Sequence, residues 1–360
     1  MSTSWPSRVA RHLRLSRKAD ADTPIGSPPF LIVFINSVCN LACEHCFYWK
    51  SLNRPDDLEY ADFDRLTSEL GQIENLNISG GEPFLRPDFA EIVGLFVRRN
   101  GARSVYVPTN GWFTDKTVAA VEGVLGESTL DRIVIELSLD GLPDRHDRFR
   151  GRDGSFAKAM ETHDALEKLQ RVDPRVRIHA ITTVTSDNLP DVVPLTEYLH
   201  RRCGAMEHHN LAIIRGDRLN PSLTGPDRTA YDVAWRKLRA VWSDRETGRF
   251  GGVVDPMLHH AKLRTLDART QVVPCTAGRM TGVVHANGDI GLCETLPTVG
   301  NIRKDGGFRN VWHGEAARAQ RASIARKDCW CTNEVFLWPS FTFSPKHLAA
   351  TFIASRAWSV

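Results

Sequence analysis

Cys39, Cys43 and Cys46 stand in the run Ser37-Val38-Cys39-Asn40-Leu41-Ala42-Cys43-Glu44-His45-Cys46-Phe47-Tyr48, a Cys-x3-Cys-x2-Cys spacing that puts three thiols on one short loop. Three thiolates so placed can ligate three irons of a [4Fe-4S] cube and leave the fourth iron open to an outside ligand. An open iron is what a reactive cluster requires. The competing chemistry is a zinc knuckle, which wants four ligands, and His45 could supply the fourth only awkwardly because its neighbour Cys46 already points at the metal.

A second set follows at Cys275, Cys293, Cys329 and Cys331. The turn Asn287-Gly288-Asp289, flanked by β-forming residues, predicts a hairpin that brings Cys275 and Cys293 together. Four thiolates would saturate a second [4Fe-4S] cluster and favour electron transfer or a structural role. The same four would make an ordinary structural zinc site. A single residue, Trp330, separates Cys329 from Cys331; if one of the pair fails to bind, the cluster keeps an open site that could hold substrate. Cys203 is left over and reads as a buried thiol.

These cysteines need a scaffold, and the chain supplies one by alternating short β-rich runs with helical periodicity from Pro29 onward. Strands are predicted at Phe30–Asn36, Leu76–Ser79, Ser104–Pro108, Arg132–Leu139, Val176–Val184 and Met206–Ile214, with helices between them at Asp62–Leu70, Pro87–Asn100, Lys116–Leu125, Ser155–Leu169 and Pro190–Arg202. The fold class is α/β, a partial (β/α)6 barrel followed by a small cysteine-rich domain. Chemistry in such folds collects at the carboxyl ends of the strands. The cysteine loop, Ser79-Gly80-Gly81-Glu82-Pro83, Thr109-Asn110-Gly111 and Ser138-Leu139-Asp140-Gly141 all fall there. A helix is expected over Asp227–Asp244, and the chain divides into a basic extension at 1–28, the barrel at 29–245, the cysteine-rich unit at 246–335 and an aromatic tail at 336–360.

Bulk properties narrow the function classes. With 360 residues and a formal net charge of +3 from interspersed charges, no nucleic-acid surface is indicated. Met1 to Asp20 has five basic residues but no apolar run, so it is no secretory signal, and no stretch suits a bilayer. A cytoplasmic location is expected, where the eight cysteines serve as ligands or free thiols. Fewer than thirty residues precede the first strand, too few for a fused peptide-recognition domain. Trp5–Arg14 could form a basic amphipathic helix and, with the tail from Phe336 through Phe352 and Trp358, touch a membrane surface; packing back on the barrel is the preferred reading.

The loop, with GGEP and SLDG in register behind it, resembles the radical S-adenosylmethionine (SAM) superfamily, and Cys275 to Trp312, including Gly300-Asn301-Ile302, resembles its SPASM/Twitch subgroup. That resemblance implies that the SAM amine and carboxylate chelate the open iron at Cys39, Cys43 and Cys46. Reductive cleavage of SAM then yields a 5′-deoxyadenosyl radical that abstracts hydrogen from an unactivated C–H. It further implies Phe47 and Tyr48 beside the adenine and Gly80, Gly81 and Glu82 at the SAM amine. Asn110, which otherwise belongs to a plain Asn-Gly turn, would line the pocket, and Ser138 and Asp140 would face cofactor or substrate. Arg150, in His146-Asp147-Arg148-Phe149-Arg150-Gly151, would hold the SAM carboxylate by a bidentate bond. Asn188 would approach the ribose, unless it is only a helix cap. Cys203 would donate hydrogen if the enzyme is an epimerase. Four remaining cysteines fit the one-cluster Twitch form better than a full SPASM domain. The expected reaction is oxidation or epimerisation of a small sugar- or polyol-like metabolite, fed by a flavodoxin- or ferredoxin-type reductant. Maturation of a ribosomally made peptide is the alternative, and a non-enzymatic iron–sulfur or zinc regulator the third reading.

Overall fold

The computed structural model describes residues 5–20, 23–246 and 250–355. After helix α1 (Trp5–Ala19), the barrel unrolls as β1 (Phe30–Phe34), α2 (Tyr60–Glu69), β2 (Asn75–Ser79), α3 (Phe89–Asn100), β3 (Ser104–Thr109), α4 (Thr114–Leu125), β4 (Arg132–Ser138), α5 (Pro143–Arg150), α6 (Ser155–Val172), β5 (Val176–Val184), α7 (Leu189–Arg202) and β6 (Met206–Ile213). Local chemistry sets the boundaries. Glu59 and Asp62 form a reciprocal capping box that starts α2, and Gly101, at φ 65°, lets the chain leave α3 in a left-handed turn. Helix α5 has no counterpart among the expected helices. Six of its eight residues are Asp, Arg or His, so it has no apolar stripe to read, yet His146, Phe149 and Arg150 are buried.

Strands β1 to β6 pair in parallel in the spatial order β6-β5-β4-β3-β2-β1, an open barrel wall. Along β5 the outward residues Val176, Ile178, Ala180 and Val184 join a core with Leu166 of α6 and Leu195 and Leu199 of α7. The alternate residues Arg177, His179, Ile181 and Thr183 point the other way and stay partly accessible. The inner face therefore lines a lumen open to solvent, unlike the packed interior of a closed barrel.

Beyond β6 come α8 (Arg228–Glu246), α9 (Phe250–Ala268), β7 (Thr281–Val284), β8 (Asp289–Gly291), β9 (Gly300–Asn301), α10 (Phe308–His313), α11 (Glu315–Ala325), α12 (Glu334–Thr342) and α13 (Pro345–Ser355). The expected hairpin is β7–β8, but it does not open a separate layer. Strand β7 pairs in parallel with β1, from Phe30↔Thr281 to Val33↔Val284, and extends the barrel sheet to nine strands. Helix α1 and the turn at Phe343 pack on the barrel: Leu15 of α1 meets Phe30, Met280 and Phe343, and Arg11 pairs with Glu74 at 2.6 Å. Trp358 lies outside the described residues. No helix among the described residues is long and apolar enough to cross a membrane.

Candidate active site

The cysteine loop leaves the carboxyl end of β1 and is sewn to the turn after β2. Gly81 N donates to Asn36 O (3.0 Å), Glu82 N to Val38 O (2.7 Å) and Asn36 Nδ2 to Glu82 O (3.0 Å). A Cβ on Gly80, at φ 151°, would sit 2.6 Å from Asn36 O, and one on Gly81 would sit 2.2 Å from Val38 O. The two glycines thus let the turn press against the backbone that leads into Cys39, where the sequence suggested close approach to a ligand. Gly81→Ala is expected to cost about 1–3 kcal/mol through overpacking. A urea melt and an iron assay after reconstitution check this: lower stability should accompany lower cluster loading.

Glu82 is buried, and its carboxylate accepts from Thr109 Oγ1 (2.8 Å), Asn110 N (2.8 Å) and Phe84 N (3.3 Å). Burial pushes its pKa up to about 7 against those three donors. The side chain ties the ends of β2 and β3 together, and only what these bonds leave over can serve a ligand. Asn110 Nδ2 in turn donates to Asn40 Oδ1 (2.9 Å) inside the cysteine loop.

On the other side of the loop, Arg150 donates from Nη1 to Cys43 Sγ (3.7 Å) and pairs through Nη2 with Asp140 Oδ2 (2.5 Å). Burial opposes ionisation of Asp140, but Arg150, His45 and His146 hold its carboxyl below the usual range. Asp140 Oδ1 accepts from Thr183 N (2.8 Å), and its backbone N donates to His146 Nδ1 (3.2 Å). Asn188 is fully engaged: its amide donates to Asp140 O and Thr183 O, and its carbonyl accepts from Thr185. It is a strut between the ends of β4 and β5, which removes it as a ribose contact. Ser138 ends β4 on the lumen face, partly accessible.

Two expectations are corrected by placement. Tyr48 is buried, stacks on Phe34 (4.4 Å between centroids) and accepts from Ala286 N at its hydroxyl (3.4 Å), so its ring joins β1 to the β7–β8 hairpin instead of standing free for an adenine. Cys203 ends α7, on the way to the amino end of β6, and its buried sulfur touches Met160 Sδ at 4.0 Å. It lies at the barrel end remote from the cysteine loop and cannot donate hydrogen there. Cys203→Ala should leave 5′-deoxyadenosine formation within twofold of wild type in a reductive cleavage assay. His45, weighed only as a zinc ligand, is the residue the sequence undervalued: its ring stacks on Phe149 (4.9 Å, 12°) and lies 3.9 Å from Asp140.

Burial raises the Cys39 thiol to about 12 and the Cys46 thiol to about 11, and pushes Cys43 up as well, so as free thiols all three resist ionising and a bound cation is needed to draw off their protons. Cys43 lies near enough to Cys39 and Cys46 to raise both further, and Cys46 raises Cys39. Cys275, Cys293, Cys329 and Cys331 form a second such group. None of the eight cysteines is in a disulfide. A tetrahedral zinc at 2.3 Å from each sulfur would hold its ligands about 3.8 Å apart. Among the described residues no three cysteine sulfurs all lie within 4.8 Å of one another, so neither group is drawn in to the span of a tetrahedral zinc.

Orphaned donors fit the same picture: Asn40 Nδ2, His45 Nδ1, Arg150 Nε and Arg215 Nε are buried around the loop with no hydrogen-bond partner. Arg215, which no sequence motif marked, joins the two cysteine groups. Its guanidinium lies over the Phe47 ring (5.3 Å) and bonds Glu294 (3.1 Å), which also accepts from Asn333 Nδ2 (2.6 Å).

Known proteins fit this geometry. The radical SAM superfamily profile matches residues 33–206, and an iron–sulfur cluster-binding domain, SPASM, matches residues 275–333. Mycofactocin maturase MftC of Mycobacterium ulcerans is 28% identical over 304 residues, 80% of this chain and 75% of that protein. AdoMet-dependent heme synthase of Methanosarcina barkeri is 30% identical over 79% of this chain and 82% of its own length. Sporulation killing factor maturation protein SkfB of Bacillus subtilis is 24% identical over 90% of this chain and 73% of its own. The structure of anSMEcpe with bound AdoMet and Cp18Cys peptide shares the fold, with a TM-score of 0.59 at 17% identity over 92% of this chain and all of that one. The chain belongs to the radical SAM superfamily, in its SPASM/Twitch subgroup, and is an enzyme whose cofactors are SAM, a [4Fe-4S] cluster and auxiliary iron–sulfur.

Proposed function

We propose that the enzyme matures a ribosomally made peptide by abstracting hydrogen from one of its residues. What carries the reading is that two relatives aligned over four-fifths or more of this chain are named as maturation proteins. The sequence-based expectation of a sugar or polyol substrate has no comparable support and becomes the weaker reading. A second reading, a tetrapyrrole substrate, draws on the 30% identity to the heme synthase.

In this proposal Cys39, Cys43 and Cys46 hold the SAM-binding cluster, and Cys275, Cys293, Cys329 and Cys331 hold the auxiliary one. The bound cluster and SAM supply the 5′-deoxyadenosyl radical. Arg150 keeps a positive charge beside Cys43, and its unpartnered Nε can receive the SAM carboxylate. Asp140 fixes Arg150, while Glu82 and the two glycines fix the loop. A low-potential flavodoxin or ferredoxin in the cytoplasm would be the electron source. The test is co-expression with short peptides encoded beside the gene, with mass spectrometry of each. A mass change dependent on Cys43 supports the reading, whereas SAM cleavage stimulated only by a porphyrin or a polyol overturns it.

A further inference from the structure

Midway down the barrel, three protonatable side chains stand level on adjacent strands. Glu136 of β4 is opposite His179 of β5, and His179 is opposite His208 of β6. The last pairing exists because the register slips by one residue between Ile178 and His179, a β-bulge that brings His208 rather than Glu207 level with His179. The imidazoles meet edge to face, 5.5 Å between centroids. All three residues are partly accessible while their strand neighbours Ile135, Leu137, Ile178, Ala180 and His209 are buried under the outer helices, so the row faces the open lumen. Glu136 lies two residues below Ser138, about 7 Å deeper than the rim where the cysteine loop sits.

Among the described residues the Glu136 carboxylate makes no hydrogen bond or ion pair, in contrast to Glu82 and Asp140 at the rim, whose oxygens are taken; its charged neighbours are His208, which favours its ionised form, and Glu334, which opposes it. A lumen carboxylate that makes no hydrogen bond of its own is free to accept one from a bound group. Burial raises its pKa to about 7. Proteins keep such groups where a ligand uses them.

Resting on the peptide-maturase reading, we propose that the Glu136–His179–His208 row is the seat for the side chain being modified, and that it selects residues bearing a hydroxyl or amine, which donate to Glu136. Apolar side chains leave the carboxylate desolvated and unpaired, so the row rejects them.

The probes are N-acetyl amino-acid amides, with serine and lysine against leucine, and myo-inositol as a polyol. Binding to the reconstituted full chain with SAM is followed by saturation-transfer NMR, in wild type and in Glu136→Gln. The serine or lysine amide should bind at least tenfold more weakly to E136Q, and the leucine amide equally to both proteins. Equal affinities for every probe, or no binding of any, overturn the row as a substrate seat. Inositol binding that depends on Glu136, without amide binding, leaves the seat in place and sinks the peptide reading. Iron content and melting temperature accompany each measurement. E136Q removes a partly accessible carboxylate that makes no hydrogen bond and should fold as well as wild type, and His208→Gln serves as a second variant, expected to weaken the same probes.

Discussion

Replacing Cys39, Cys43 and Cys46 together by alanine is expected to abolish SAM cleavage and to lower iron after anaerobic reconstitution from about eight to about four per chain. The loss of activity follows from the open iron, which three thiolates leave and nothing else on the loop can recreate. The surviving four irons follow from the second cysteine group, which sits on other elements and shares no ligand with the loop. A fall from about four to none would mean that Cys275, Cys293, Cys329 and Cys331 hold something other than iron and sulfide, and the proposed auxiliary ligands would have to be withdrawn.

The second large effect concerns a residue with no direct bond to a cysteine. Asp140→Asn leaves Arg150 buried and charged against Cys43 with its counter-ion gone. Breaking one half of such a pair costs about 3–5 kcal/mol. Because Asp140 is held below the ordinary carboxylate range, its stabilisation is present above about pH 4 and is lost as pH falls through its folded pKa. The gap in stability between wild type and D140N should therefore be full at pH 7 and close in acid, which chemical denaturation across that range will measure. A gap that shows no narrowing at any pH below about 4 would assign the loss to packing and not to charge.

Much of the barrel was legible because its strands are apolar, short and spaced by helical periodicity; Val176–Val184 matches residue for residue. What escaped was written in polar residues. Helix α5 is held by burial of His146, Phe149 and Arg150, which no hydrophobic count registers. The site was legible where spacing is dictated by the ligand, as in Cys-x3-Cys-x2-Cys. It was misread where one motif serves two purposes: the Gly80-Gly81 pair looks like a ligand cradle from sequence, yet the atoms it makes room for are Asn36 and Val38 of its own chain. Arg215 and the Glu136 row were invisible for a different reason. Strand register and a bulge bring Glu136, His179 and His208 level, and Arg215 meets Glu294 across 79 residues of chain; neither leaves a local pattern.

The pairing of β1 with β7 bears on how the chain is made. One edge of β1 is covered by β2 soon after synthesis begins, but the other waits for Thr281–Val284, about 250 residues further along. At roughly 5–20 residues per second the nascent chain carries that apolar edge bare for some tens of seconds. An uncovered strand edge of this composition invites association with other chains. Truncations that stop short of β7 should therefore aggregate during expression, and the yield of whole enzyme should rise with slower, cooler synthesis or a chaperone that shields strand edges.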